Sequence, residues 1–276
     1  ELHVHSRGRK VNQQYAIHDR ARRTIPYTHK AHATMSSAIR TANGQLFDYA
    51  QPRAHHLSLQ VLAQGLSRES RFAGQSADLY TVAQHSVLAS HLVPVHLARQ
   101  ALYHDAAEAL LKDLPKPLKV LLGDYQAVER QVERELFTWL GLPEHPDAAV
   151  KRVDRMLLMA EQRDLMPQPA ADQRGEPTAQ PFEPTQPWVD EPAPAGALPG
   201  RIRPWSSRWA CLRFALRAVE LERGRPAPVR LRLRLLAAIY MPRAVRPPWP
   251  HVPLGQPIPA HNTARFASGL AVEQRR

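Results

Sequence analysis

The sequence predicts an all-α protein, and three observations carry that expectation. From about Leu57 onward apolar residues recur at the i, i+3/i+4 spacing of amphipathic helices. The periodic stretches stop at Gly or Pro, the residues that end helices. No internal repeat is visible that would point to a solenoid.

Residues 1–34 have no helical or strand period. At Met35 the text changes, and "MSSAIRTANGQLFDYAQP" reads like an ordinary protein start. The folded polypeptide is therefore expected to begin there, with 1–34 as an extension of tag, fusion or start-site origin; a functional basic arm is the rival expectation. "LSLQVLAQGLS" reads as a short helix ending near Gly65, and "LYTVAQHSVLASHLV" as a second, stopped by Pro94. "VHLARQALYHDAAEALLKD" reads as one continuous third helix, ended by the prolines of "LPKP". "GDYQAVERQVERELFTWLGL" is a fourth, closed by Gly141. Its stripe of Val128, Val132, Leu136 and Trp139 mostly serves the core. "PDAAVKRVDRMLLMAEQRDLM" is a fifth, with Pro146 just before its start. Residues 167–204, rich in Pro and acidic residues, read as a loop or linker. "SSRWACLRFALRAVELERG" is a last helix with Ser206 as its cap. The rest, 223–276, reads as a basic, Pro-broken tail with little packed structure beyond one short helix. The expected organisation is an extension at 1–34, a helical domain at 35–222 and a tail at 223–276.

Composition narrows the function classes. The chain has 276 residues, of which 43% are apolar, enough for a real core. Its apolar runs fall far short of the roughly 18 residues of a membrane span, and no charged-then-apolar leader is visible. Cys211 is the only cysteine, which excludes an internal disulfide and a Cys-based metal cluster and fits a reducing cytoplasm. The formal charge of +12 invites a nucleic-acid reading. Residues 1–34 carry +5 and 223–276 carry +9, while 35–222 carry −2, so the basic character belongs to the ends.

The chemistry gathers in three places: His85 in "TVAQHS", the His104–Asp105 doublet with Glu108 and Asp113 after it, and Asp154 in "KRVDRML". Imidazole and carboxylate donors suit borderline or hard divalent cations. Adjacent residues on a helix diverge by about 100°. His104 and Asp105 therefore share one ion only if it sits at the helix surface and other helices close it off, a role open to His85 and Asp154. Glu108 follows on the same face, where a general base for water would stand. Asp113, before the prolines, could orient that water or protonate a leaving oxygen. Taken singly, each has an ordinary reading. Asp154 amid "KRVDR" is a surface ion-pairing residue, Glu108 a common helix carboxylate and a lone His a hydrogen-bonded helix residue.

Taken together, the order His…His-Asp…Asp resembles the HD-domain metal-dependent phosphohydrolases. The blocks "LSRESRFAGQ", "YTVAQHSVL", "LYHDAAEALLKDLPKPLK" and "VDRMLLMAEQRDLM" resemble, in the same order, the compact 5'-deoxynucleotidases of the YfbR/YfdR type and related phage deoxynucleoside triphosphatases. The resemblance covers roughly residues 44–220. It implies a compact helical bundle and one divalent metal held by His85, His104, Asp105 and Asp154. Glu108 and Asp113 would be catalytic carboxylates, and Arg71 with Phe72 of "SRF" would contact the phosphate and the base or sugar of a deoxynucleotide. Arg suits that task because its planar fork pairs two phosphate oxygens. The metal would be Co, Mn, Mg or Zn, and the assembly a homodimer or higher. Ala109 departs from the His-Asp-x-x-Glu-Asp of the alarmone hydrolases; the His-Asp-Ile-Gly and Gly-Tyr-Pro motifs and the long His-rich segment of other branches are missing. The expected activity is phosphate release from a deoxynucleoside monophosphate. Triphosphohydrolysis is the alternative, and nucleic-acid binding through the basic ends, with the helical core as vestige or regulator, a further one.

Overall fold

The computed structural model describes residues 36–167, 201–224 and 226–255. The extension read at 1–34, and most of the loop read at 167–204, lie outside the described residues. Helices dominate. The sheet is one antiparallel hairpin of β1 (Ala38–Arg40) and β2 (Leu46–Asp48), with Ile39 opposite Phe47. Its strands are too short to leave a period-2 signal in the sequence. Phe47 is buried and roots the hairpin in the core.

The first helix, α1 (Leu59–Leu66), is capped by Ser58, whose hydroxyl accepts from the Val61 N–H. Helix α2 (Val82–Leu92) is capped in the same way by Thr81 through the Gln84 N–H. It packs against α3 (Ala98–Tyr103), α7 (Ala148–Leu165) and α8 (Ser207–Arg223). Wrapped on several sides, α2 buries eight of its residues, polar Gln84, His85, Ser86 and Ser90 among them. Such a helix has little amphipathic contrast, and each buried polar group on it needs a partner or a purpose.

The stretch expected as one helix over 95–113 is broken. After α3 the chain turns through His104–Ala107 before α4 (Glu108–Leu111). Across the break the hydrogen bonds are of the i→i+3 type: Ala106 N–H to Tyr103 O, and Glu108 N–H to Asp105 O, each 3.0 Å. This tighter winding sets Glu108 above Asp105 at three residues per turn. The backbone at Gly65 of α1 approaches Ala109 so closely that an added Cβ would meet the Ala109 oxygen at 2.7 Å.

After α4, Lys112 has φ +79° and ψ 149°, a region that favours glycine. Its surroundings hold it there. Glu69 accepts from the Lys112 ammonium at 2.5 Å and from the Asp113 N–H at 3.2 Å. The Tyr125 hydroxyl donates to the Leu111 and Lys112 carbonyls. A short α5 (Lys116–Lys119) follows, then α6 (Gly123–Leu140), closed by Gly141 in the left-handed conformation at φ +63°. On α6 Val132 and Leu136 are buried, and Val128 and Trp139 pack partly against the core.

At α7 the cap is Asp147, directly after the Pro146 read from the sequence, and at α8 it is the expected Ser206, whose hydroxyl accepts from the Trp209 N–H. Gln84 ties the chain entering α8, donating to the Arg203 carbonyl and accepting from the Trp205 N–H. Packed structure continues past residue 222. Helix α9 (Val229–Tyr240) lies on α8 with Leu235, Ala238 and Ile239 buried, and Trp249, Val252 and Leu254 pack against the core. Burial of the Leu235 and Ile239 side chains contributes about 1.5–3 kcal/mol each. Among the described residues no helix is long and apolar enough to cross a membrane.

Candidate functional site

Helices α2 and α7 and the α3–α4 turn bring His85, His104, Asp105 and Asp154 together. His85 is fully buried on α2. Its Nε2 lies 3.3 Å from His104 Nε2 and 3.1 Å from Asp154 Oδ1. Asp105 Oδ2 is 3.2 Å from His104 Nε2 and 3.7 Å from His85 Nε2. Asp154 Oδ1 is also 3.8 Å from His104 Nε2.

The outer side of each imidazole fixes its tautomer. His104 Nδ1 faces the Ala101 carbonyl at 2.8 Å, and a carbonyl only accepts, so Nδ1 carries the proton. His85 Nδ1 likewise donates to Glu161 Oε1 at 2.7 Å. Both Nε2 lone pairs then face inward, toward each other and toward two carboxylate oxygens. Four acceptors converge with no hydrogen-bond donor among them. Such a set calls for a cation.

A divalent ion fits. Ligands about 2.1 Å from one ion and at right-angle to tetrahedral spacing lie about 3.0–3.4 Å apart, close to the separations found. His85, His104 and Asp105 offer ligand atoms all within 4.8 Å of one another, a group that could hold a metal ion. A carboxylate behind His85 is the outer support that metal-binding histidines commonly have.

Without a cation, protons take its place. Burial and the Arg71 charge push the His85 imidazole down; Glu161 and Asp154 outweigh them and raise it to about 9. His104 is raised too: burial opposes this, while the Asp105 charge and the Asp154 hydrogen bond prevail. Asp154 is strongly lowered, because bonds to His104 and His85 overcome its burial.

Glu161 is a residue the sequence reading missed. It lies seven residues after Asp154, on the same face of α7. Its Oε1 accepts from His85 Nδ1 and, at 2.8 Å, from the Tyr80 hydroxyl; its Oε2 accepts from Arg71 Nε at 3.1 Å. Burial would raise its carboxyl, but the His85 and Arg71 charges hold it down at about 2. The i, i+7 spacing was the available signal, and it was weak, since nothing in a sequence marks a carboxylate as fully buried.

Arg71 and Phe72 stand beside this cluster. Arg71 is buried, with Nη1 3.5 Å from Asp105 Oδ2. Phe72 takes a left-handed φ of +57°, followed by Ala73 at +51° and Gly74 at +74°. The Arg71 guanidinium carbon lies 5.8 Å from the Phe72 ring centre. Two non-glycine residues in that region hold the Arg–Phe pair in a constrained turn next to the imidazoles.

Glu108 and Asp113 are not among the close contacts of the four-residue cluster. They form its neighbouring side. Glu108 Oε2 is buried and has no hydrogen-bond partner among the described residues. Its carboxyl is pushed well up, first by burial and then by the charges of Asp105 and Asp113. Asp113 is raised as well, by burial opposed by Arg71 and reinforced by Asp105. Lys119, bound to Glu129 at 2.7 Å, sits close enough to act on both charges.

Fold and cluster together define a helical protein with a candidate metal centre. Comparison with known proteins gives its kin. The chain is 41% identical over 129 residues to the uncharacterized protein YfdR of Escherichia coli K12, covering 47% of this chain and 72% of that protein. The chain belongs to the YfdR family. It is also 28% identical over 123 residues to an uncharacterized protein of Rhodobacter capsulatus, covering 41% of this chain and 63% of that one. No family model matches the chain.

Proposed function

We propose that the chain is a metal-dependent phosphohydrolase of the HD type that releases phosphate from deoxynucleoside 5'-monophosphates. The observation that carries this reading is the pairing of two opposite environments: four inward-facing acceptors, and beside them a buried carboxylate with an unpartnered oxygen. The first holds a cation; the second moves a proton.

The metal ligands in this reading are His85, His104, Asp105 and Asp154. Mixed imidazole and carboxylate ligation favours a transition metal such as Co, Mn or Zn over Mg. A divalent ion bound there supplies Lewis acidity to a phosphoryl oxygen and to water. Arg71, with Nε committed to Glu161 and Nη1 facing Asp105, offers its remaining nitrogen to a phosphoryl oxygen. Phe72 provides an apolar face for the sugar or base. Glu108 takes the proton of the attacking water, and Asp113 delivers one to the leaving ribose oxygen as the P–O bond breaks. Two carboxyls raised by burial and by each other's neighbourhood suit that division of acid and base.

The test is phosphate release from a panel of deoxy- and ribonucleotides, mono- and triphosphates, by protein stripped of metal and reloaded with Co, Mn, Mg or Zn. Release from deoxynucleoside monophosphates is the expected result. Release only from triphosphates would move the substrate assignment, and no release with any metal would end the proposal.

We further assign a dimer or higher assembly. The run Leu118–Leu122 beside the site exposes Val120 at 68% and Leu121 at 78%, an unusual surface for apolar side chains. Light scattering that gives the monomer mass across a wide concentration range would end this assignment. The lone Cys211 supports placing the protein in the reducing cytoplasm.

A further inference from the structure

A second cavity lies away from the imidazoles, between the end of α1, the start of α8 and the segment after α9. Its volume is about 270 Å³. Its polar lining comprises Gln64 on α1, Ser67 and Arg68 after it, Ser207 and Arg208 at the start of α8, and Arg246. Cys211, one turn into α8, lines it too. It shares no lining residue with the cluster around His85.

Three arginines from three segments line one small space, and no carboxylate does. Among the described residues none of the three has a carboxylate within salt-bridge distance. Arg208 lies 5.8 Å from the Tyr240 ring centre, and Arg246 donates Nε and Nη2 to the Met241 carbonyl at 3.1 Å. Those contacts position the Arg208 and Arg246 guanidinium groups without neutralising them. Arg68 and Arg208 are exposed and Arg246 is half-buried, so water screens their mutual repulsion and leaves all three able to pair with an anion.

The helix start adds to the same field. The Ser206 hydroxyl takes the Trp209 N–H and the Ser206 carbonyl takes the Ala210 N–H. The first N–H groups of this 17-residue helix, at Ser207 and Arg208, have no intrahelical acceptor. Ser207 and Arg208 line the cavity, and the positive end of the helix dipole beside it favours an anion. Guanidinium forks, serine hydroxyls and backbone N–H groups are the donors that tetrahedral oxyanions take up.

We propose that this cavity is a binding site for the phosphate group of a small molecule, separate from the candidate metal centre. The ligand class is a phosphate monoester or inorganic phosphate, held by Arg68, Arg208 and Arg246 and by the N-terminal groups of α8. The proposal does not rest on the hydrolase reading.

Cys211 supplies a local reporter, because it is the chain's single cysteine. Its thiol is buried and stays protonated at neutral pH, since burial outweighs the Ser67 hydrogen bond and the Arg68 charge. The experiment follows modification of Cys211 in the full chain by a small neutral thiol reagent, with chelator present so that nothing is hydrolysed. Inorganic phosphate, deoxyadenosine monophosphate, deoxyadenosine and chloride at matched ionic strength are compared.

Phosphate or the monophosphate should slow modification saturably, about tenfold at ten times its dissociation constant, and deoxyadenosine and chloride should not. Protection by phosphate alone would identify the free ion as the ligand, and stronger protection by the monophosphate an ester. The Arg68→Ala/Arg208→Ala protein should lose the protection. No protection by either, equal protection by chloride, or equal protection in the double variant would overturn the site. If the thiol proves too buried to react, phosphate titration by calorimetry of wild type and double variant decides the same point. Binding at the metal centre is common to both proteins, so a loss of one site is expected and identical isotherms would overturn the proposal.

Discussion

Two pairs of carboxylates flank the same imidazoles, and the protein sets them in opposite directions. Asp154 and Glu161, on one face of α7, are held low by bonds to His85, His104 and Arg71. Glu108 and Asp113, at and beyond the start of α4, are raised by burial and by like charge. Burial disfavours ionisation in all four, so burial does not explain the split. What differs is the company: Asp154 and Glu161 accept direct bonds from imidazole, guanidinium or hydroxyl groups, whereas for Glu108 and Asp113 burial and the Asp105 charge outweigh Arg71 and Lys119, and one Glu108 oxygen is left unpaired among the described residues. A carboxylate held ionised can serve a metal centre permanently, whereas one raised toward neutrality can gain and lose a proton during turnover.

The comparison breaks most visibly at the ligands. His104→Ala removes one inward lone pair, and metal content and activity should fall together. The loss of metal affinity should exceed the roughly 10–100-fold typical of removing a residue that only supports a ligand. Metal analysis beside steady-state rates reads both. A His104→Ala protein that keeps its metal would remove His104 from the ligand set.

On the other side, Glu108→Gln should keep the metal and lose about 10²–10⁴-fold in rate. The acidic limb of the pH–rate profile should vanish with the base, and Asp113→Asn should erase the alkaline limb instead. In the metal-free protein, Glu108→Gln should also raise the melting temperature at pH 8. The sign follows from the shift: a carboxyl whose folded value lies above its unfolded one loses folding stability as pH rises past about 4.5. Loss of metal in Glu108→Gln would make Glu108 a ligand and erase the contrast between the pairs.

Glu161→Gln tests the support behind His85. The metal should bind about 10–100-fold more weakly, with the four proposed ligands still present. A related effect appears with pH. His85 is raised to about 9. Its contribution to the stability of the metal-free protein is therefore fully present below about 6.5, its unfolded value. It fades as pH rises through 9, at no more than about 1.4 kcal/mol per pH unit for one proton. Metal affinity should climb over the same range, because metal and proton compete for Nε2. Chemical denaturation with and without metal from pH 6 to 10 would show the two trends diverging. Parallel trends would mean that His85 does not bind the ion.

The smallest expected effect is mechanical. Gly65→Ala places a Cβ 2.7 Å from the Ala109 oxygen, and the helix carrying Glu108 must shift. Overpacking of this kind costs about 1–3 kcal/mol. Turnover should fall more than metal binding, because Ala109 follows Glu108 directly while His85 and Asp154 lie on other helices. Urea denaturation and metal titration of the same protein separate the two.

The sequence by itself determined a large part of this protein. Apolar spacing, with stops and caps at Pro94, Gly141, Pro146 and Ser206, marked out α1, α2, α6, α7 and α8, because helix periods and end signals are local. It also supplied His85, His104, Asp105 and Asp154, which the structure brings to within 3.1–3.8 Å of one another along the contacts described. Other features were decided only by tertiary packing. The break between α3 and α4 is followed by a close approach of Gly65 to Ala109, a tertiary contact that local propensity does not encode. Glu161 meets His85 across 76 residues of chain, and Glu69 reaches Lys112 and Asp113 across more than forty. The opposed settings of the two carboxylate pairs, and the three-arginine cavity, depend on which side chains bury which others. That is fixed by the meeting of distant segments, because charge interactions follow distance and burial in space rather than separation along the chain.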